Sequence, residues 1–230
     1  MHGRTVVVTG GFGALGRAVA QAAAERGATA VAVDRIAEPA GLAASLGPHA
    51  IALGGVDLTE LNATAKAFET VKARTGRLDA LINIAGGFRW QTLADGDLAA
   101  WDLLYQMNVK TAATACKAAL PYLSANGEGR IVNVGAFAAT RAAAGMGAYT
   151  ASKAGVAKLT ESLAEELKGR VTVNAVLPSI IDTPANRADM PDADFSKWVS
   201  PADLAAVILF LVSPEAKAVT GALVPVTGLV

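Results

Sequence analysis

The sequence is poor in the residues on which disulfide, metal and nucleic-acid chemistry depend. Cys116 is the only cysteine among 230 residues, so an internal disulfide is excluded, and its alanine-rich surroundings indicate a buried thiol. The two histidines, His2 and His49, lack the spacing of metal ligands, so no metal site is expected. Twenty basic and twenty acidic residues leave no net charge, which argues against a nucleic-acid partner.

Long apolar runs are also missing. The longest strongly apolar run, "LAAVILFLV" at residues 204–212, is too short to span a bilayer. The first residues, "MHGRTVVV", enter a β-branched run at once and leave no room for a secretory signal. We therefore expect a cytoplasmic protein with no membrane partner. Hydrophobic residues make up 53% of the chain, which is enough for a substantial core.

Short β-branched runs alternate along the whole chain with longer helical stretches. Runs that are apolar on both faces are typical of a parallel sheet covered by helices. The alternation predicts an α/β fold, a single doubly wound Rossmann domain over residues 1–230 with a seven-stranded parallel sheet flanked by helices. The predicted strands begin at Thr5, Thr29, Ala50, Ala80, Arg130, Thr172 and Leu223, and the predicted helices cover 14–26, 60–75, 97–123, 149–168 and 201–212.

One segment departs from this alternation. "PSIIDTPANRADMPDADFSKWV", residues 178–199, has proline breaks and weak periodicity, which is typical of a lid or a binding loop. We predict a substrate lid over residues 184–199, with a packing insertion as the alternative. Ser200, Pro201 and Asp203 predict that the next helix begins directly after it.

The stretch "VVVTGGFGALG", residues 6–16, predicts a strand, a glycine turn and the start of a helix. Such a turn presents backbone N–H groups to a pyrophosphate at a helix N-terminus. The glycines fit two registers. Residues 11–16 spell G-x-G-x-x-G, whereas residues 9–16 fit T-G-x-x-x-G-x-G with Ala14 in place of the middle glycine.

Acidic residues follow the next two predicted strands. Asp34 stands eighteen residues after Gly16, where a carboxylate can hold both ribose hydroxyls and repel a 2′-phosphate. This favours NAD(H), while NADP(H) stays possible because Arg35 can either turn toward a phosphate or lie as a solvated loop charge. Asp57 follows the third predicted strand and is expected at the adenine edge.

Tyr149 and Lys153 lie four residues apart at the start of a predicted helix, so they share one face of it. A lysine ammonium near a phenol stabilises the phenolate and lowers its pKa. Tyr149 would then be a usable proton donor to a substrate that accepts a hydride.

Together these motifs resemble the short-chain dehydrogenase/reductase superfamily along nearly the whole chain. The resemblance also rests on "NIAG" at 83–86, Asn108 in "MNVKTA" and "PSIIDT" at 178–183. It implies that Tyr149 is the general acid, that Lys153 holds the nicotinamide ribose and tunes Tyr149, and that Asn108 keeps a water for proton relay. It also implies a homodimer or homotetramer joined through the helices near 97–123 and 149–168. The implied cofactor contacts are Gly10, Phe12, Leu15, Gly16, Asp34, Arg35, Asp57, Leu58, Asn83, Ala85, Gly86, Lys153, Pro178, Ile181 and Thr183.

The sequence departs from the superfamily pattern most clearly at Ala136. The catalytic serine of the superfamily lies thirteen residues before the tyrosine, and no serine occurs here between Ser124 and Ser152. The nearest hydroxyl, Thr140, comes four residues later. Losing a preorganised donor of this kind costs about 3 kcal/mol in the transition state. The resemblance therefore implies either an impaired enzyme or a substrate that does not need the serine.

The chain is similar to the dihydropteridine reductase branch, which uses NADH, keeps the Tyr–Lys pair and lacks the serine. The likeness lies in "AGGF" at 85–88, "GAFAA" at 135–139 and the stretch 176–198. It implies a quinonoid dihydropterin as the small-molecule substrate, in a pocket formed by Phe88, Trp90, Ala136 and Tyr149. Phe88 or Trp90 would stack on the ring, or both merely line the loop. Two alternatives stay open, a carbonyl reductase or alcohol dehydrogenase without the serine and a non-enzymatic NAD-binding protein.

Overall fold

The apolar runs of the sequence form a single parallel sheet. In a computed structural model of the chain, which describes residues 1–125 and 127–230, seven strands are arranged in the order β3-β2-β1-β4-β5-β6-β7. This confirms the predicted doubly wound α/β fold. The strands are β1 Thr5–Thr9, β2 Thr29–Val33, β3 Ile51–Leu53, β4 Ala80–Asn83, β5 Gly129–Val134, β6 Val171–Pro178 and β7 Leu223–Val226.

Eight α-helices in the described part of the chain connect and cover the strands. They are α1 Ala14–Glu25, α2 Leu42–Leu46, α3 Leu61–Thr75, α4 Ala99–Tyr105, α5 Thr111–Ala125, α6 Gly147–Glu166, α7 Pro184–Asp189 and α8 Pro201–Leu211. The stretch predicted as a helix over 97–123 is helical from Ala99 to Ala125, with a π-helical turn at Gln106–Lys110 between α4 and α5. Helices α2 and α7 were not predicted, since five or six residues are too few to show a helical period.

Each face of the sheet packs against its own layer of helices. Val6 and Val8 of β1 face α1 and α8, whereas Val7 faces α3, α5 and α6. The alanines of α5 permit close packing, and the buried Cys116 lies among them as expected. Burial raises the pKa of its thiol to about 12, so the thiol is unreactive. None of the helices in the described residues has the length and apolar character needed to traverse a membrane.

The strand order reverses between β1 and β4, which are neighbours with Thr9 opposite Asn83. The chain runs from β1 outward to β3 on one side and from β4 outward to β7 on the other. In open parallel sheets, ligands bind at the carboxyl ends of the strands where the order reverses. The fold therefore indicates a ligand-binding site at the loops after β1 and β4.

The segment predicted as a lid contains two short helices rather than an irregular loop. Helix α7 forms its first part, and a 3₁₀ turn at Phe195–Lys197 follows. The start of α8 is confirmed, since the Ser200 side chain accepts the Asp203 N–H at 3.0 Å with Pro201 in the first turn.

Candidate active site

The glycine turn after β1 forms a close-packed cradle. Gly10 has φ +64°, and a Cβ on it would lie 2.8 Å from the Ala85 nitrogen. A Cβ on Gly16 would overlap the Gly10 carbonyl oxygen, whereas one on Gly13 would meet that oxygen at an ordinary 3.4 Å. Gly11 is needed for another reason, because it packs against Ala32 of β2. The steric requirements therefore support the T-G-x-x-x-G-x-G register.

A cleft of about 720 Å³ extends from this turn across the carboxyl ends of the strands. One wall of the cleft is formed by Leu103, Gln106, Met107 and Thr111 at the junction of α4 and α5. These residues were not predicted, although the nearby motif residue Asn108 was. The lining residues are Gly10, Gly13, Ala14, Leu15, Gly16, Asp34, Arg35, Val56, Asp57, Leu58, Thr59, Ile84, Ala85, Gly86, Leu103, Gln106, Met107, Thr111, Thr183, Pro184 and Ala185.

Two acidic side chains stand in the cleft at the ends of β2 and β3. The Asp34 carboxylate accepts the Phe12 N–H at 3.1 Å and the Arg35 N–H at 2.8 Å, so it ties the glycine turn to the end of β2. Asp57 accepts the backbone N–H of Thr59 at 2.9 Å and its hydroxyl at 2.7 Å. These hydrogen bonds lower the pKa of Asp57, which favours its charged form.

The floor of the cleft is the loop after β4. The Thr9 hydroxyl oxygen accepts the Ile84 N–H at 3.1 Å and the Ala85 N–H at 3.3 Å, which fixes this loop to β1. Asn83 lies beneath the floor, because it is only 4% exposed and donates from Nδ2 to Asn133 Oδ1 at 2.9 Å. Asn83 therefore supports the predicted cofactor site from below, while Ala85 and Gly86 line it.

Asn108 joins the loop after β4 to helix α6. It lies in the π-helical turn, where its Oδ1 accepts the Gly87 N–H at 2.9 Å. Its Nδ2 donates to the Gly87 carbonyl at 3.1 Å and to Ser152 Oγ at 2.9 Å. A Cβ on Gly86 would lie 2.5 Å from Asn108 Oδ1, so this close approach requires glycine.

Tyr149 and Lys153 lie on the first turns of α6, beyond the Gly86 end of the cleft. Lys153 is 6% exposed and its Nζ donates to the Val134 carbonyl at 2.8 Å. Burial lowers the pKa of Lys153 to about 8 and raises the pKa of Tyr149 to about 12. The shift of Tyr149 is opposite to the one expected from the Tyr–Lys spacing, because burial dominates. Tyr149 therefore keeps its proton at neutral pH, as a proton donor must.

The predicted substrate pocket contains an aromatic pair and no serine. The Phe88 ring meets the Tyr149 ring edge to face at 4.9 Å between centroids and 83° between planes, and Phe88 is 56% exposed. Ala136 is 4% exposed and precedes a 3₁₀ turn, Phe137–Thr140, that packs against α6. The Thr140 hydroxyl donates to the Phe137 carbonyl at 2.7 Å on the surface, so it does not replace a serine at position 136.

The predicted cofactor contacts Pro178, Ile181 and Thr183 lie where the lid leaves the sheet. β6 ends at Pro178, and Ile181 forms a bridge with Val199 that brings the two ends of the lid together. The Thr183 Oγ1 accepts the Asn186 N–H at 3.2 Å and so begins α7. Thr183 lines the cleft together with the first two residues of α7.

Known proteins share this fold and this set of motifs. Residues 4–194 match the family model described as short chain dehydrogenase. The chain belongs to the short-chain dehydrogenase family. Family membership confirms that it is an oxidoreductase, and the family uses NAD(P), which confirms the cofactor class expected from the glycine turn. The hypothesis of a non-enzymatic NAD-binding protein is therefore set aside.

Relatives of this short-chain dehydrogenase differ in the substrates that their names state. A 3-oxoacyl-[acyl-carrier-protein] reductase from Thermotoga maritima is 30% identical, over 99% of this chain and 98% of its own length. A cis-4-hydroxycyclohexanecarboxylate dehydrogenase from Sinomonas cyclohexanicum is 35% identical, over 98% of this chain and 95% of its own. The crystal structure of a 3-ketoacyl-(acyl-carrier-protein) reductase from Brucella melitensis, complexed with NADH, superposes with a TM-score of 0.89 at 28% identity, covering 99% and 98% of the two chains.

Proposed function

We propose that this short-chain dehydrogenase reduces an electron-poor conjugated ring, such as a quinonoid dihydropterin, with NADH. The observation that carries this proposal is Ala136, a buried methyl group at the position where the family resemblance leads us to expect a serine hydroxyl. A ring that is already electron-poor accepts a hydride with little polarisation of a carbonyl, so it tolerates the missing donor. The exposed Phe88 ring beside Tyr149 supports a planar substrate, because it offers an apolar surface for stacking.

The cleft suits a dinucleotide, which supplies the hydride from its nicotinamide when bound. Gly10 and Gly16 allow the tight turn that leads into α1, whose first backbone N–H groups can bind a pyrophosphate. Asp34 stands where it would accept ribose hydroxyls and repel a 2′-phosphate, and no basic residue lies in the turn from Gly10 to Gly13. These features favour NAD(H), with Arg35 as the residue that leaves NADP(H) possible.

The chain's own contribution to the reaction is proton delivery and positioning. Tyr149 holds its proton at neutral pH and would give it to the substrate as the hydride arrives. The Lys153 ammonium, protonated below about pH 8, would stabilise the resulting phenolate and bind the nicotinamide ribose. Asn108 fixes Gly87 against Ser152 of α6, which keeps the floor of the cleft in register with Tyr149. A proton relay through a water held at Asn108 stays a prediction.

The lid belongs to the same proposal. Residues 184–199 would close over the substrate, since their first two residues already line the cleft. An ion pair between Arg187 and Asp182, with N–O distances of 2.5 Å and 2.7 Å, braces α7 against the base of the lid. Cytoplasmic location, a single domain over 1–230 and assembly into a dimer or tetramer remain predictions from the sequence.

A carbonyl reductase or alcohol dehydrogenase is the second candidate. The names of the relatives favour it, because a 3-oxoacyl reductase acts on a ketone and a hydroxycyclohexane dehydrogenase acts on a secondary alcohol. In that case Tyr149 would polarise the carbonyl without help from a serine. Ala136 would then lower the rate and would not select the substrate.

NADH oxidation with a quinonoid dihydropterin, a quinone and simple ketones distinguishes the two candidates. The proposal predicts turnover of the dihydropterin or the quinone and little activity with ketones. Tyr149→Phe should abolish the activity. Tyr122→Phe on α5, where the side chain packs against the hydrophobic core, serves as the matched control and should not. Good activity with ketones and none with the conjugated rings would establish the second candidate instead.

A further inference from the structure

The segment after the cleft floor, Gly87–Gln91, is fastened at both of its ends. At one end, the Gly87 N–H and carbonyl both hydrogen-bond to the Asn108 side chain. At the other end, the Gln91 N–H donates to the Gly145 carbonyl at 2.9 Å, and the Trp90 indole N–H donates to the Ala144 carbonyl at 3.2 Å. We call Gly87–Gln91 the aromatic strap, since it carries Phe88 and Trp90 between these two attachments.

Trp90 packs on the backbone of Gly145 rather than against the cleft. Gly145 has φ +76°, and a Cβ on it would overlap the indole ring of Trp90. The rest of the indole is open to solvent, as Trp90 is 60% exposed. Gly145 lies four residues before Tyr149 and leads directly into α6. Trp90 thus connects the aromatic strap to the chain that positions the proton donor.

Phe88 depends on these attachments for its own position. Its ring contacts the Tyr149 ring, yet more than half of its side chain is exposed, so surrounding packing does not hold it in place. The hydrogen bonds at Gly87 and Gln91 and the contact between Trp90 and Gly145 fix the strap on either side of it. Loss of either attachment would allow the Phe88 ring to move away from the Tyr149 ring.

We infer that Trp90 is a positioning residue that acts through Gly145 and the aromatic strap. It holds Phe88 against Tyr149 and so determines how well the site accepts a planar ring. In this role Trp90 acts on the substrate through Phe88. This inference rests on the proposed function, because its consequence is selectivity for planar substrates.

Trp90→Ala is the first test, with Trp90→Phe as the conservative variant and Leu93→Ala, an exposed apolar residue after the strap, as the control. A contact between the Phe88 ring and a planar substrate ring is worth roughly twofold to tenfold in affinity. Trp90→Ala should raise KM for the quinonoid dihydropterin by about this factor and leave the low kcat/KM for a small ketone unchanged. Trp90→Phe, which keeps a ring on Gly145, should restore most of the loss, and Leu93→Ala should have no effect.

Two further measurements guard against a misfolded variant. Calorimetric titration of the NAD⁺-loaded protein with pterin measures ring binding without turnover, and Trp90→Ala and Gly145→Ala should weaken it equally. Phe88→Ala should weaken it as well, but should add no further loss in the Trp90→Ala background, because Phe88 is then already displaced. Additive losses, or equal losses for planar and ketone substrates, would overturn the inference and leave the proposed function intact. Wild-type protein that neither binds pterin nor reduces conjugated rings would refute the proposed function and the inference together.

Discussion

Replacing Lys153 with methionine should stabilise the cofactor-free protein while abolishing its activity. Lys153 is buried, and burial lowers its pKa from 10.5 to about 8. At about 1.4 kcal/mol per pKa unit, this shift corresponds to about 3 kcal/mol of lost stability near neutral pH. Methionine fills similar space without a charge, but it removes the hydrogen bond to the Val134 carbonyl, which is worth about 1 kcal/mol. A net gain of about 2 kcal/mol is expected.

The gain should depend on pH in a defined direction. The folded-state pKa of Lys153 lies below the unfolded value, so the unfolded chain binds more protons between them. The wild-type penalty is therefore complete below about pH 8 and fades as the pH rises toward 10.5. The lost hydrogen bond to Val134 does not titrate in this range. The stability difference should thus shrink from about 2 kcal/mol at about pH 7 to zero or a small loss at about pH 10.

Urea denaturation of the wild type and Lys153→Met at these two pH values measures both quantities. Tyr149→Phe is the matched control, because the pKa of Tyr149 is raised to about 12. Its effect on the free energy of unfolding should change by less than about 0.5 kcal/mol over the same range. A stability difference for Lys153→Met that is the same at both pH values would refute the reasoning that burial of this charge destabilises the fold.

Other substitutions test the remaining assignments. Ala136→Ser should raise kcat/KM for ketones about a hundredfold and leave conjugated rings nearly unchanged; equal gains would show that the serine plays no selective role. Gly16→Ala should abolish NADH binding in a fluorescence titration, because its Cβ would overlap the Gly10 carbonyl oxygen, whereas Gly13→Ala should bind normally. Equal losses would contradict the T-G-x-x-x-G-x-G register. Asp34→Asn should raise NADPH affinity relative to NADH, and an unchanged ratio would show that Asp34 does not select the cofactor.

The strands and the cofactor-binding residues that follow them could be predicted because they depend on local sequence. Short apolar runs predicted all seven strands, and the motifs predicted Gly10, Asp34 and Asp57 as cofactor contacts. The structure brings these three residues together at the carboxyl ends of the neighbouring strands β1, β2 and β3. The π-helical turn escaped prediction, since the stretch 97–123 reads as one continuous helical pattern. The direction of the Tyr149 pKa shift also escaped, because it depends on burial rather than on spacing.

Contacts between distant segments set the limit of what the sequence could reveal. The aromatic residues of the strap were expected to stack on substrate or to line the loop. The attachment of Trp90 to Ala144 joins residues 54 positions apart. No periodicity or local motif encodes such a pair, so the role that we infer for Trp90 required the folded arrangement.

Because of the π-helical turn, the geometry of the site depends on the number of residues in this part of the chain. A π-helical turn holds one residue more than an α-helical turn. Deleting one residue within Gln106–Lys110 would let this turn return to regular α-helix and would change which of its side chains face Gly87 and Ser152. Asn108 would then lose its hydrogen bonds to Gly87. Insertions and deletions here should therefore be tolerated far less than substitutions, even at positions whose side chains face solvent.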